Sequence, residues 1–137
     1  MNLENKIVNA MLENDKFSAW LGIELIDIKP GSCILKMMVK KDMLNGFDIL
    51  HGGVTFAMAD SALAFAANSH GRKSVSIEAS MSYIESCKEG DILIAKASET
   101  SMTNKIGIYS IEVKNQNDKI VSIFKGTVYR TEKEWKL

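Results

Sequence analysis

Proline is nearly absent from this chain. Pro30 is the single one among 137 residues, which excludes proline-rich linkers and extended proline helices. Cysteine is scarce too. Cys33 and Cys87 stand far apart in sequence, with no metal-ligand spacing, and two thiols make no disulfide framework. A reduced cytosolic compartment is the simpler expectation. Net charge is missing as well, with 17 Lys and Arg against 17 Asp and Glu. That removes the global basic excess with which nucleic-acid-binding chains meet phosphate. No apolar run reaches bilayer length: the oiliest, Val54 to Ala67, is short and interrupted by Asp60. The opening MNLENKIVNAMLENDKF mixes both signs of charge and lacks the apolar core of an export signal. The expectation is a soluble cytoplasmic protein with neither membrane nor nucleic acid as partner.

Familiar catalytic signatures are also lacking. There is no GxSxG nucleophile turn, no GxxxxGK[ST] phosphate loop and no Cys–His pair at a telling spacing. The two histidines, His51 and His70, form no metal signature, so no metal site is expected.

What remains is a 46% hydrophobic chain of a length that suits one domain, residues 1–137, around one core. Leu3, Ile7, Ala10, Met11 and Trp20 recur at roughly helical spacing and predict an amphipathic helix that ends before Gly22. GIELIDI and CILKMMVK flank Pro30–Gly31 and predict a β-hairpin. KDMLNGFDIL reads as a loop with Asn45–Gly46 as its turn. Residues 54 to 67 are dominated by Ala, Met, Leu and Phe and predict a buried helix, closed near His70 with Gly71 as its cap. Four strands follow: SVSIEASMSYI, DILIAKASETS, KIGIYSIEVKN and KIVSIFKGTVYRT, the last two joined by a turn at NQND. A helix apolar nearly all round must be buried nearly all round. Strands on both sides of one helix, without βαβ alternation, predict an α+β fold with an antiparallel sheet wrapped around the central helix.

Three features converge where that helix begins. His51–Gly52–Gly53 removes side chains at a loop-to-helix junction, so backbone N–H groups at a positive dipole end can approach an oxyanion or a polarised carbonyl. The same glycines also read as ordinary loop punctuation. Asp60 is an acid inside an apolar helix, and its i±3 and i±4 neighbours, Phe56, Ala57, Leu63 and Ala64, offer no cation. It reads either as a functional carboxylate, or as part of a narrow solvated stripe with Ser61, or as the partner of a distant cation. Asn45 and His51 add a donor–acceptor pair that can orient a carbonyl or a water. Together these groups fit acyl transfer to water. Asp60 lies roughly 10 Å of helix beyond Gly53, too far for one chain to aim both at one carbon. Two antiparallel central helices in a symmetric dimer would bring Asp60 of one chain to Gly52 of the other.

The run MLNGFDILHGGVTFAMADSALAFAANSHG resembles hotdog-fold acyl-CoA thioesterases of the phenylacetic acid degradation (PaaI) type. The resemblance rests on Asn45–Gly46, His51–Gly52–Gly53 and Asp60, and extends from LENDKFSAWLGIELI to YSIEVKNQNDKIVSIFKGTVYR. It implies a hotdog fold, a homodimer with shared active sites, and two dimers in a homotetramer. It implies Asp60 as general base or nucleophile and Gly52 as the amide that polarises the thioester carbonyl. Asn45 and His51 are then loop residues that position thioester or water, Gly53 and Ser76 belong to the substrate site, and Ser76 helps hold the attacking water. It implies no metal or prosthetic group, CoA being part of the acyl-CoA substrate. One departure is plain: a strand motif that often reads Asn-Tyr-Leu-x-Pro is SYIES here, Ser82 to Ser86, without the proline. A cation for the CoA phosphates falls among Arg72, Lys88 and Lys105, and Phe47, Phe56, Met58 and Phe65 are either acyl-pocket or core residues. The expected activity is hydrolysis of phenylacetyl-CoA or hydroxylated aryl-acetyl-CoA. The alternatives are a medium-chain or benzoyl-type acyl-CoA thioesterase and a non-catalytic acyl-CoA-binding module.

Overall fold

In the computed structural model, which describes residues 1–137, the chain begins with two helices, α1 (Leu3–Asn14) and α2 (Lys16–Leu21). A single helix was expected here. Asp15 divides it, because its carboxylate accepts from the Ser18 amide at 2.9 Å and the Ser18 hydroxyl at 2.7 Å and so starts a new helix. The break turns the chain. Ile7 and Val8 are fully buried, but Trp20 is 67% exposed instead of facing the core.

β1 (Glu24–Lys29) and β2 (Ser32–Met38) form the expected hairpin, with Gly31 at φ +78° in its turn. The long helix α3 (Gly52–Asn68) then carries the chain to β3 (Arg72–Tyr83), and β4 (Ile92–Met102), β5 (Ile106–Lys114) and β6 (Ile120–Glu134) complete a six-stranded sheet in the order β1-β2-β4-β5-β6-β3. All neighbouring pairs are antiparallel. The helix thus crosses from one side of the sheet to the far edge, and the α+β expectation holds.

Register decides what lies beneath the helix. Cys33, Ala97, Ile111, Phe124 and Met81 form one row across five strands. Leu93, Ala95 and Ala97 of β4 are fully buried, while Lys96 and Ser98 point to solvent. The small alanines leave room for α3, whose Met58, Leu63 and Phe65 are buried against the sheet. Each such side chain contributes about 1.5–3 kcal/mol by leaving water. α3 ends at Ser69, which remains in right-handed helical conformation, so Gly71 does not cap it. Gly71 takes φ +111° in the turn to β3, and the Ser69 hydroxyl instead accepts from the Gly31 amide at 2.9 Å and donates to the Ala66 carbonyl at 2.6 Å.

The sheet covers only part of α3. Gly53, Phe56, Ala57, Asp60, Ser61 and Ala64 keep some exposure along one stripe, so the expectation of burial nearly all round is not met within the chain. The ladder ends on a long free edge at β3, where Val75, Ile77 and Tyr83 are exposed.

Gly126 of β6 lies directly under the helix: a β-carbon there would sit 2.5 Å from Leu63 Cδ2 and 3.0 Å from Phe124 Cε1. Gly126→Ala is therefore expected to lower stability by about 1–3 kcal/mol through overpacking. Urea denaturation checks this, and an unchanged midpoint would show that helix and sheet are not in the contact described.

Candidate active site

The segment before α3 is a pinched loop. Leu44 and Leu50 bridge across it, and the Asn45 amide donates to the Ile49 carbonyl at 2.8 Å. The Asn45 side-chain oxygen accepts from the Phe47 amide at 2.8 Å. This fixes which end of the side chain is which, and leaves its NH2 group without a partner in the chain. Asp48 closes the loop at φ +59°. Phe47 is carried outward and is 85% exposed.

His51 caps the helix. Its amide donates to the Met43 carbonyl at 2.9 Å, and its ring Nδ1 accepts from the Gly53 amide at 2.9 Å. A neutral imidazole that accepts at Nδ1 carries its proton at Nε2. Gly53 therefore gives its N–H to His51 and has none free for a ligand. Its missing side chain serves the ring instead, since a β-carbon would sit 3.0 Å from Nδ1. Gly52, the first helical residue, is different. Its N–H precedes the ladder and donates to no group of the chain.

A cleft of about 310 Å3 opens beside Gly52, lined among others by Asn45, Ile49, Thr55, Tyr83 and Ile84. It joins two of the sequence-predicted residues, Asn45 and Gly52. It does not include His51, Gly53, Asp60 or Ser76. Tyr83, not anticipated as a site residue, is the missing wall. Its hydroxyl donates to the Gly52 carbonyl at 3.0 Å, and a β-carbon on Gly52 would meet its ring at 3.0 Å. The signals in the sequence were an aromatic residue at the end of a strand and its place at the tyrosine of the Asn-Tyr-Leu-x-Pro-like segment SYIES.

Asp60 lies mid-helix on the uncovered stripe, half-buried, and takes part in none of the ion pairs of the chain. Desolvation by its apolar surroundings raises its pKa. Neighbouring Ser61 is not a solvated companion: its hydroxyl lies 2.9 Å from that of Ser18. The Ser18 proton goes to Asp15, so Ser61 is the donor. Ser76, on β3, is exposed and pairs with Val128 across the ladder, next to a bulge at Ile77. Of the four aromatic and Met candidates, Met58 and Phe65 are core, Phe56 packs edge-on against Phe124 with ring centroids 5.2 Å apart, and none lines the cleft. Arg72 gives its guanidinium to the Asn104 side chain at 3.0 Å and to the Asn104 carbonyl, whereas Lys88 and Lys105 are exposed.

The apolar helix α3 thus carries a half-buried carboxylate on its open stripe and, at its start, an amide without a partner beside a cleft. Residues 47–122 match the model of the thioesterase superfamily, and the chain belongs to that family. It is 37% identical over 122 residues to the acyl-coenzyme A thioesterase PaaI of Escherichia coli, covering 89% of this chain and 87% of that one. It is 26% identical over 114 residues to human acyl-coenzyme A thioesterase 13, covering 81% of each. The structure of E. coli PaaI, a protein of the phenylacetic acid degradation operon, superposes with a TM-score of 0.93 at 34% identity, over 97% of this chain and 99% of that one. Within the family this is a hotdog-fold acyl-CoA thioesterase of the PaaI type. No helix of the chain is long and apolar enough to cross a membrane.

The raised pKa of Asp60 has a thermodynamic consequence. Between the ordinary carboxylate range and that raised value the native state binds a proton that the unfolded chain does not, so this group favours folding more as pH falls. At neutral pH its charge works against the fold. Asp60→Asn is expected to raise the denaturation midpoint at neutral pH, with the gap closing at acid pH where both states are protonated. A neutral-pH midpoint below wild type would mean that the carboxylate is stabilised by a partner.

Proposed function

We propose that the chain hydrolyses aryl-acetyl thioesters of CoA, phenylacetyl-CoA or its ring-hydroxylated relatives, to the free acid and CoA, in the cytoplasm as part of phenylacetate catabolism. The observation that carries hydrolysis is Asp60: a desolvated carboxylate without a partner, in a helix whose first amide is also unpartnered. The aryl-acetyl choice is supported by the relative from the phenylacetic acid degradation operon.

In this reading the Gly52 N–H donates to the thioester carbonyl, with the free NH2 of Asn45 beside it. His51 holds the turn that presents Gly52. Charge developing on the carbonyl oxygen is met by donors already in place. A water attacks the carbonyl carbon, its proton passes to Asp60, and Ser76 helps hold that water. The tetrahedral intermediate then expels the CoA sulfur, the C–S bond breaks, and the proton returns to the thiolate. Desolvation makes Asp60 a stronger base than an exposed carboxylate. Direct attack by Asp60 is the variant of this step, resolved by oxygen-18 incorporation in a single turnover. No metal or prosthetic group has a part.

The site takes its two halves from two subunits. Asp60 is roughly 10 Å along a straight helix from Gly53, and antiparallel helices related by a two-fold axis bring one chain's Asp60 to the other's Gly52. The free, partly apolar edge of β3 supports such pairing, because edges of this length are normally covered. Two such dimers make the proposed tetramer. Lys88 and Lys105 are the cations of the three considered that are free to meet CoA phosphates.

CoA release from a panel of aryl-acetyl, benzoyl and straight-chain acyl-CoAs tests the reading. Aryl-acetyl thioesters are expected to give the highest kcat/KM, and Asp60→Asn to lose at least about a hundredfold in kcat. A preference for another acyl class corrects the substrate; release unaffected by Asp60→Asn removes the site; binding without release leaves a non-catalytic module. Sharing of sites has its own test. Asp60→Asn and Gly52→Ala chains, each inactive alone, are expected to recover about a quarter of wild-type activity when mixed and reassembled, since half the dimers are mixed and one of their two sites is intact. No recovery in verified mixed dimers would place both groups in one chain's site.

A further inference from the structure

Tyr83 ends β3 and belongs to the sheet. It pairs with Ser122 of β6, and the next amide, Ile84, donates to the Val121 carbonyl at 2.9 Å. From that anchored position its side chain reaches the first residue of α3. The hydroxyl donates to the Gly52 carbonyl at 3.0 Å. The ring fills the space where a β-carbon on Gly52 would lie, with Cε1 and Cζ both 3.0 Å from that point. The same ring walls the cleft shared with Asn45.

A glycine at the start of a helix is the residue least able to hold its own orientation, because it has no β-carbon to restrict φ and ψ. The His51 amide is tied to Met43, the Gly53 amide to the His51 ring, and the His51 carbonyl accepts from the Val54 amide at 2.9 Å within the first turn. Beyond the helix's own bonds, the Thr55 hydroxyl, at 3.2 Å, is the other side chain that reaches the Gly52 carbonyl. That contact lies within the helix and moves with it. Tyr83 is the tie between Gly52 and the sheet.

The geometry points to Tyr83 as the positioning residue of the Gly52 amide. The Val54 amide holds the His51 carbonyl, which shares a peptide plane with the Gly52 N–H, while the Tyr83 hydroxyl fixes the Gly52 carbonyl and its ring restricts the Gly52 φ and ψ between those two planes, so that the N–H keeps one orientation relative to the sheet. This rests on the reading of Gly52 as the carbonyl-polarising donor. A donor aimed at a developing oxyanion works only if it is already oriented, and small misplacements are costly. Tyr83 touches neither water nor leaving group in this role. It acts through Gly52, so its loss should appear in kcat and not in the binding of CoA.

The experiment compares Tyr83→Phe and Tyr83→Ala with wild type and Asp60→Asn, measuring kcat and KM for the best acyl-CoA and the 15N order parameter of Gly52. Tyr83→Phe keeps the ring and removes the hydroxyl. It is expected to lower kcat by roughly ten- to a hundredfold with KM within about twofold, and to lower the order parameter of Gly52 but not of Gly71. Tyr83→Ala is expected to lose more of both. Wild-type kcat in Tyr83→Phe, or a rise in KM alone, overturns the proposal while the underlying site stands if Asp60→Asn is inactive. An active Asp60→Asn overturns the site reading itself, and with it a catalytic meaning for the Tyr83 contact. The order parameter needs no turnover: an unchanged value at Gly52 in Tyr83→Phe also overturns the proposal.

Discussion

Helix α3 has almost no side chain to offer to water, and the rest of the fold follows from that. Seventeen residues run from Gly52 to Asn68, with Asp60 their only ionisable group. A segment of that kind must be covered. Six antiparallel strands do most of the covering, and their register sets small residues where the helix comes nearest: Ala95, Ala97 and Gly126. One sheet curling past a helix still leaves one side open. The open stripe of α3 and the free edge of β3 are two aspects of the same shortage of covering surface, which on the proposed reading a second copy of the chain makes good.

The two glycines after His51 have a more local meaning than their position at a helix start suggests. Each vacates a β-carbon for a ring. Gly53 makes room for the His51 imidazole to fold back and cap the helix, and Gly52 makes room for Tyr83. The outcome is an asymmetric pair of amides. The Gly53 N–H is consumed by the cap, while that of Gly52 is left over beside the cleft. A helix N-terminus offers several unpaired donors in general. Here the His51 ring takes the Gly53 N–H and the His51 carbonyl accepts from Val54, so the Gly52 N–H is left beside the cleft.

Much of this was legible in the sequence because it was carried by pattern. Alternation in DILIAKASETS separates Leu93, Ala95 and Ala97 from Ile92, Ile94 and Lys96, the structure shows the first set to be the buried one, and the hydrophobic run after HGG is the central helix. What was not legible depended on contacts between distant segments. The split at Asp15 comes from a carboxylate that caps a second helix, and a hydrophobic repeat continues across such a break without a mark. Nothing local distinguishes Gly52 from Gly53, since the partners that separate them are a histidine one or two residues back and a tyrosine that arrives from β3. The loss of proline from the SYIES segment drew notice, while the tyrosine inside it mattered more to the site.

Asp60 draws these points together. The apolar surroundings that make its charge unfavourable for folding are the surroundings that make it a stronger base. Full solvation would have relaxed both effects, but Asp60 is half-buried, and Ser61 beside it is bound to Ser18 of α2. A nearby cation would also have relaxed both, at the expense of basicity, and none is paired with it. On the proposed reading a second subunit deepens the desolvation and at the same time delivers the acyl carbon, through the partner's Gly52. Assembly then raises the proton affinity of the base only where a substrate carbonyl is held. An isolated chain would carry the stability penalty of the carboxylate without the means to use it, which ties the activity of such a site to the formation of the dimer.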